Sequence, residues 1–178
     1  MNAGAHGSEV RDILVEVRGL SLEGAPVTVP AGDIRFAYRS ATYPAPLLVL
    51  EVVFALHADD PEAVAARRLA FHEQRLRTQP KGRTVGSVFK NPPGDHAGRL
   101  IEAAGLKGFR IGGAVVSEKH ANFILNDGGA SAAELEALIR TVRERVRERF
   151  GVVLETEVRI VGEPAVPAAP PSGEGSRA

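Results

Sequence analysis

The chain has 178 residues, 44% hydrophobic and 25% charged, the balance of an ordinary globular protein with room for one domain and part of another. Its 22 basic and 22 acidic residues cancel, so no cationic excess exists to displace counterions from a nucleic acid, although a local anion site is still allowed. There is no cysteine, which excludes disulfides, thiolate–zinc sites and cysteine nucleophiles.

Residues 1–10 have neither the basic start nor the apolar stretch of a secretory signal. They open on a small, glycine-punctuated loop, Met1-Asn2-Ala3-Gly4-Ala5-His6-Gly7. Ile13, Val15 and Val17 then alternate, Glu23-Gly24 marks a turn, and Val27 and Val29 resume the alternation, which predicts a β-hairpin. The Val- and Leu-rich stretch 47–56 predicts a buried strand, although periodicity alone does not exclude a helix. It is interrupted by Glu51 and too short to cross a bilayer, so no membrane attachment is expected. Strands 1–57 have no obvious core of their own, and open strand edges call for cover. Asp60-Pro61 reads as an N-cap with proline at the first helical position, and Ala65, Leu69, His72 and Leu76 continue a connector helix as far as Pro80.

A second unit follows. Residues 86–92 read as a strand or loop, and Asp95 is expected to cap a short helix with Leu100 and Ile101 inward, ended by Gly105. Residues 111–116 and 122–125 are strand-like. Over 131–150, Ser131 and Glu134 form a capping box, Leu135, Leu138, Ile139, Val142, Val146 and Phe150 share one face, and Gly151 is a natural stop. Residues 154–161 alternate as a last strand, and the Pro/Ala/Gly/Ser-rich tail 163–178 is expected to be disordered. The pattern predicts an α+β protein divided into 1–58, a connector 59–81, a second domain 82–162 and the tail 163–178.

Candidate chemistry is spread along this frame. Period two puts Glu155, Glu157 and Arg159 on one strand face, which suits a solvated ion-pair ladder or a carboxylate beside a cation. Gly86-Ser87-Val88-Phe89-Lys90-Asn91-Pro92 suits a strand-entry turn, or a serine placed beside a lysine and an amide to bind an anion or donate a proton. It lacks the glycine of a nucleophile elbow and is no phosphate loop. Gly112-Gly113 permits close approach to a ligand or simply a bend. His120 and Asn122 are expected on one strand face, with no carboxylate cluster to support a metal.

The joint order of MNAGA, Tyr38-Arg39, GSVFKNP from Gly86, GLKG…IGGA…SEKHANFILN over 105–126 and FGVVLETEVRIVG near the end resembles one family, UDP-N-acetylenolpyruvoylglucosamine reductase (UDP-N-acetylmuramate dehydrogenase). The resemblance runs from Met1 to Gly162 and is nearest the shorter type II branch. It implies the C-terminal part of a PCMH-type FAD-binding domain over 1–58, followed after the connector by an α+β substrate-binding domain over 82–162. It also implies a soluble, cytoplasmic flavoenzyme of peptidoglycan biosynthesis, monomeric at full length, with FAD and NADPH as cofactors, a UDP-sugar as ligand, and neither nucleic acid nor membrane as partner.

By the same resemblance Arg39, Ser87 and Glu157 are the catalytic residues, with Tyr38, Lys90, Asn91, His120 and Asn122 on the substrate and Asn2, Ala3, Gly4, Ala5 and Gly7 along the flavin. Arg39 would face charge developing on the substrate carboxylate, and Ser87 would protonate carbon, where placement counts for more than acidity. Glu157 beside a growing oxyanion would be protonated or bridged by a cation. The family reads Tyr-Arg-x-Ser, whereas Ala41 stands at the serine's place and Ser40 one before it. The flavin-pyrophosphate motifs that precede MNAGA in the family are expected upstream, with Met1 an internal methionine taken as the start. A UDP-sugar-binding module without flavin is the rival reading.

Overall fold

A computed structural model describes residues 1–162, and chain contacts divide the protein into two units, Met1–Gln79 and Pro80–Ala178. The expectation for 163–178 lies outside the described residues.

The first unit contains the expected hairpin. After the short strands β1 (Gly4–Ala5) and β2 (Ser8–Glu9), β3 (Leu14–Ser21) pairs antiparallel with β4 (Pro26–Pro30). Gly24 takes φ +86° in the turn between them, a conformation that needs no Cβ. Strands β5 (Arg35–Ala37) and β6 (Ser40–Thr42) form a separate small hairpin. Strand β7 (Leu47–Phe54) runs antiparallel along the other edge of β3, giving the order β4-β3-β7. Val17, Val29 and Ile34 are the buried core, rimmed by Leu14, Val27, Phe36, Ala41, Tyr43 and Leu47.

Within the 47–56 stretch, Leu47–Phe54 is a strand, but it is not buried. Leu48 is 60% and Leu50 65% exposed, and Val49, Val52 and Phe54 are exposed as well. Its composition suits a strand covered on both faces, yet in this unit it is the edge of a three-stranded sheet. Helix α1 (Pro61–Thr78) starts as predicted, the Asp60 carboxylate accepting from the Ala63 N–H at 2.9 Å, and none of its residues is buried.

In the second unit, helix α2 (Ala97–Ala103), the antiparallel strands β8 (Arg110–Ile111), β9 (Ala114–Val116) and β10 (Ile124–Asn126), and helix α3 (Ala132–Phe150) enclose one core. Val88, Phe89, Leu100, Ile101, Leu106, Leu138, Val142, Val146 and Leu154 meet there. The α+β class is as expected. So are the ends of α3: the Ser131–Glu134 capping box forms, and Gly151 ends the helix at φ +70°. The strand expected over 111–116 is instead a hairpin broken at Gly112-Gly113. Gly112 makes the turn at φ +54°, and Gly113 must be glycine because a Cβ there would lie 2.6 Å from the Ala130 nitrogen.

Two further expectations are corrected. Asp95 does not cap α2: His96 is the N-cap, the Asp95 carboxylate binds Arg99 and the His96 N–H, and the Asn91 side-chain oxygen accepts from the Ala97 N–H at 3.0 Å. Arg99 holds the Asp95 carboxyl down at about 2, with the His96 N–H adding to the effect. Residues 154–161 do not form a continuous strand. One bridge joins Phe89 to Thr156, after which the Glu157 and Val158 N–H groups both turn to the Val88 carbonyl, at 2.8 and 3.4 Å. Two donors on one carbonyl end the ladder, and among the described residues no strand pairing continues beyond it.

Candidate functional site

In the first unit the predicted small-residue loop is a tight hairpin. His6 (φ +54°) and Gly7 (φ +84°) are its two central residues, both left-handed as a two-residue β-turn requires. Asn2 is buried and fully engaged: its amide donates to Glu9 at 2.9 Å and to the Ala37 carbonyl at 3.3 Å, and its oxygen accepts from the Arg11 N–H at 3.0 Å. The Ala3 carbonyl accepts from the Val10 N–H at 2.9 Å. Asn2 and Ala3 thus hold the loop, while Gly4, Ala5 and Gly7 face outward from it into a concavity of about 450 Å³ shared with Arg11 and Arg39.

Tyr38 and Arg39 are the two loop residues between β5 and β6. Arg39 sits at φ +51°, in the left-handed region that costs an L-residue roughly 1–2 kcal/mol. The surroundings hold it there. Its Nη2 donates to the Gly4 carbonyl at 2.9 Å, and its guanidinium carbon lies 5.1 Å from the centre of the Tyr38 ring. A Cβ on Gly4 would come within 3.1 Å of Arg39 Nη1, so the missing side chain of Gly4 makes room for the arginine. Around Gly7 a Cβ would meet nothing within 4 Å. His6 itself stacks on Phe71 at 3.9 Å between ring centres, and Glu9 and Asp12 line the same concavity as the cation of Arg39, so a ligand could approach closely at the small residues Ala5 and Gly7.

In the second unit the segment carrying Ser87 lies between two others. A Ser87–Phe123 bridge is on one side, and the 155–158 segment is on the other. Asn122 locks this arrangement. It is buried, its Oδ1 accepts from the Phe89 N–H at 3.0 Å, its Nδ2 donates to the Phe89 carbonyl at 2.8 Å, and its own carbonyl accepts from Val88 at 2.9 Å. The expected shared strand face of His120 and Asn122 is instead a turn, closed by the Asn122 N–H donating to His120 Nδ1 at 3.2 Å. That bond leaves the imidazole proton on Nε2. His120 packs against Phe123 at 4.8 Å between ring centres and close to Gly98. Burial lowers its pKa, with Lys107 pushing the same way.

Ser87, Asn91, His120 and Asn122 line one concavity of about 360 Å³. His96, Arg99 and Lys119, which sequence reasoning did not single out, join them and make its rim basic, with Glu102 the acid among its walls. Ser117 was also missed. It is buried, and its hydroxyl accepts from the Lys119 and His120 N–H groups at 3.1 and 3.3 Å, turning the chain so that His120 enters the site. The serine opening Ser117-Glu118-Lys119-His120 was the available signal. Lys90 and Glu157 do not line this concavity. Lys90 pairs with Glu155 at 2.5 Å, and half-buried Glu157 hangs from the Val88 carbonyl through its N–H. Arg39 belongs to the first unit, and Ser87 and Glu157 belong to the second.

The Ser87 hydroxyl and the His120 imidazole beside Lys119 and Arg99 suit a polar, anionic small molecule, while the Asn122 amide is spent on Phe89 and the Asn91 oxygen on the Ala97 N–H. Another concavity in this unit, about 480 Å³, is walled largely by Val85, Leu135, Ile139, Val158 and Ile160 and contains none of the expected site residues. Among the described residues no three His, Asp or Glu side chains gather to hold a metal, and no helix is long and apolar enough to cross a membrane.

Residues 78–161 match the family model described as UDP-N-acetylenolpyruvoylglucosamine reductase, C-terminal domain. Curated relatives with that enzyme's name include one from Anaeromyxobacter dehalogenans (strain 2CP-C), 49% identical over 92% of this chain and 50% of the relative. Another, from Alkalilimnicola ehrlichii, is 51% identical over 92% of this chain and 55% of its own length. The crystal structure of the Thermus caldophilus reductase matches with a TM-score of 0.76 and 38% identity, over 89% of this chain and 57% of that one. The chain therefore spans about half the length of the curated relatives it matches.

Proposed function

Through residues 78–161 this chain belongs to the UDP-N-acetylenolpyruvoylglucosamine reductase family, and we propose that it contributes the substrate-side half of that reduction. The substrate is the enolpyruvyl ether of a UDP-N-acetyl sugar, and the product is UDP-N-acetylmuramate, a precursor of the bacterial cell wall made in the cytoplasm. When bound, FAD reduced by NADPH supplies a hydride to the terminal vinyl carbon. On this reading Ser87 Oγ–H gives a proton to the adjacent carbon, so that the double bond becomes a single bond. Arg39 carries a permanent positive charge to the substrate carboxylate, where electron density accumulates during the addition, and Glu157 acts beside the same carboxylate. Gly4, Ala5 and Gly7, held by Asn2 and Ala3, would lie against the flavin. Residues 1–58 would belong to the flavin-binding domain, 59–81 to the connector and 82–162 to the substrate domain.

The observation that carries the reading is the convergence of Ser87, Asn91, His120 and Asn122 on one basic-rimmed concavity, although the sequence between Asn91 and His120 separates them into two groups. The rim of His96, Arg99 and Lys119 suits the phosphates of a sugar nucleotide. The test is a titration of the chain with the UDP-linked enolpyruvyl sugar, followed through backbone amide chemical shifts. Shifts should cluster on Ser87, Asn91 and 117–122, and Ser87→Ala should keep binding while abolishing turnover in the family-length enzyme. Absence of binding, or shifts confined to the apolar concavity by Leu135 and Ile139, would refute the assignment.

A further inference from the structure

The two edges of the β4-β3-β7 sheet are built differently. Edge strand β4 begins and ends in proline, at Pro26 and Pro30, neither of which has an N–H to offer a neighbour. Such residues keep an edge from recruiting another strand. Edge strand β7 has no such protection. Its eight residues, Leu47-Leu48-Val49-Leu50-Glu51-Val52-Val53-Phe54, include no proline, glycine or lysine, and its single charge, Glu51, is used within the sheet by Arg18 at 2.7 Å. Its outer edge has no strand partner among the described residues.

Leu48, Val49, Leu50, Val52 and Phe54 are all exposed, and Leu56 just beyond the strand is 76% exposed. Successive residues of a strand point to opposite faces, so exposure at consecutive positions leaves both faces of β7 uncovered. Only three residues are buried in this unit's core. Such a composition is that of strands buried on both faces within a sheet.

We infer that β7 is a docking strand: its outer edge accepts another strand, and an apolar layer covers its faces, both supplied by the half of the family's fold that this chain does not span. The occupant follows from length and chemistry together. The matched relatives carry about as much chain again as is aligned here, and the match within 78–161 is to their C-terminal domain. The inference rests on the family reading above.

The experiment mixes the full 178-residue chain with the separately produced unmatched half of the Anaeromyxobacter dehalogenans relative. Backbone hydrogen exchange along Leu47–Phe54 is followed together with sedimentation. In the dilute chain alone the amides that point away from β3 should exchange freely while those paired with β3 are protected, and in the mixture the outward amides should slow at least about tenfold within a one-to-one complex. Leu50→Lys should abolish the complex, whereas Leu22→Lys, at a 74% exposed turn residue, should leave it intact. Complex formation without protection of β7, no complex at all, protection already complete in the dilute chain, or protection appearing only with concentration-dependent self-association would each overturn the inference. A complex with protected β7 that binds neither flavin nor UDP-sugar would uphold the interface and sink the reductase reading, so the two failures are separable.

Discussion

Removing the Asn122 side chain should be the most damaging single change in the second unit outside its apolar core. Its amide satisfies both main-chain groups of Phe89, whose side chain is itself buried, and Asn122→Ala deletes both bonds at once. A buried polar group left unpaired costs about 1–3 kcal/mol, so two would cost roughly 2–6 kcal/mol. Asn122 also borders the concavity, where water can enter and relieve part of this, which puts the expectation at about 2–4 kcal/mol. The assay is native-state amide exchange at Leu138 and Val142, buried residues of α3 that report opening of the whole unit. Their exchange should accelerate by about 30- to 1000-fold, since 1.36 kcal/mol corresponds to a factor of ten. Asn122→Asp gives a second reading of the same geometry. It keeps the acceptor for the Phe89 N–H but sets a carboxylate oxygen against the Phe89 carbonyl. The carboxyl pKa in the fold should rise above its unfolded value, so this variant should be less impaired at low pH and lose stability as pH increases. Acceleration below about threefold in Asn122→Ala would refute the claim that this amide carries the segment bearing Ser87.

Two other perturbations test the same framework. Gly113→Ala should destabilise the second unit by more than about 1 kcal/mol, because the new Cβ would lie 2.6 Å from main-chain Ala130, while Gly32→Ala, with nothing within 4 Å, should be near neutral; urea midpoints followed by far-ultraviolet circular dichroism decide it. For His120 the folded pKa is lowered from 6.5, first by burial and also by Lys107, with a main-chain hydrogen bond and, more weakly, Glu102 opposing. The unfolded chain therefore takes up the proton first, and the histidine's contribution is complete above about 6.5 and declines as pH falls through the lower folded value. His120→Gln should flatten this part of the stability–pH profile, and an unchanged slope would remove His120 as its source.

How much of the site was legible differs by residue. Ser87, Asn91, His120 and Asn122 were identified through family-like order, and they line one concavity. Spacing alone left each with an ordinary structural explanation, and for Asn122 that explanation holds as well: its amide is consumed by the main chain of Phe89. The rim residues His96, Arg99 and Lys119 were not visible, because charged residues at a helix start or in a loop have no signature that distinguishes a wall from a solvated surface. Ser117 was missed because its hydroxyl acts only on local N–H groups.

Local rules alone determined the elements whose stabilising contacts lie within a few residues. The capping box of α3, the Asp60-Pro61 start of α1, the Glu23-Gly24 hairpin and the glycine stop at 151 all formed where the sequence put them, since each depends on donors and acceptors close along the chain. Tertiary structure decided the elements whose partners are distant. Alternation over 154–161 yielded one bridge because the Val88 carbonyl gathers two N–H groups and ends the pairing. Hydrophobicity over 47–56 yielded a strand but no burial, because burial depends on a neighbouring layer that the strand's own sequence cannot supply.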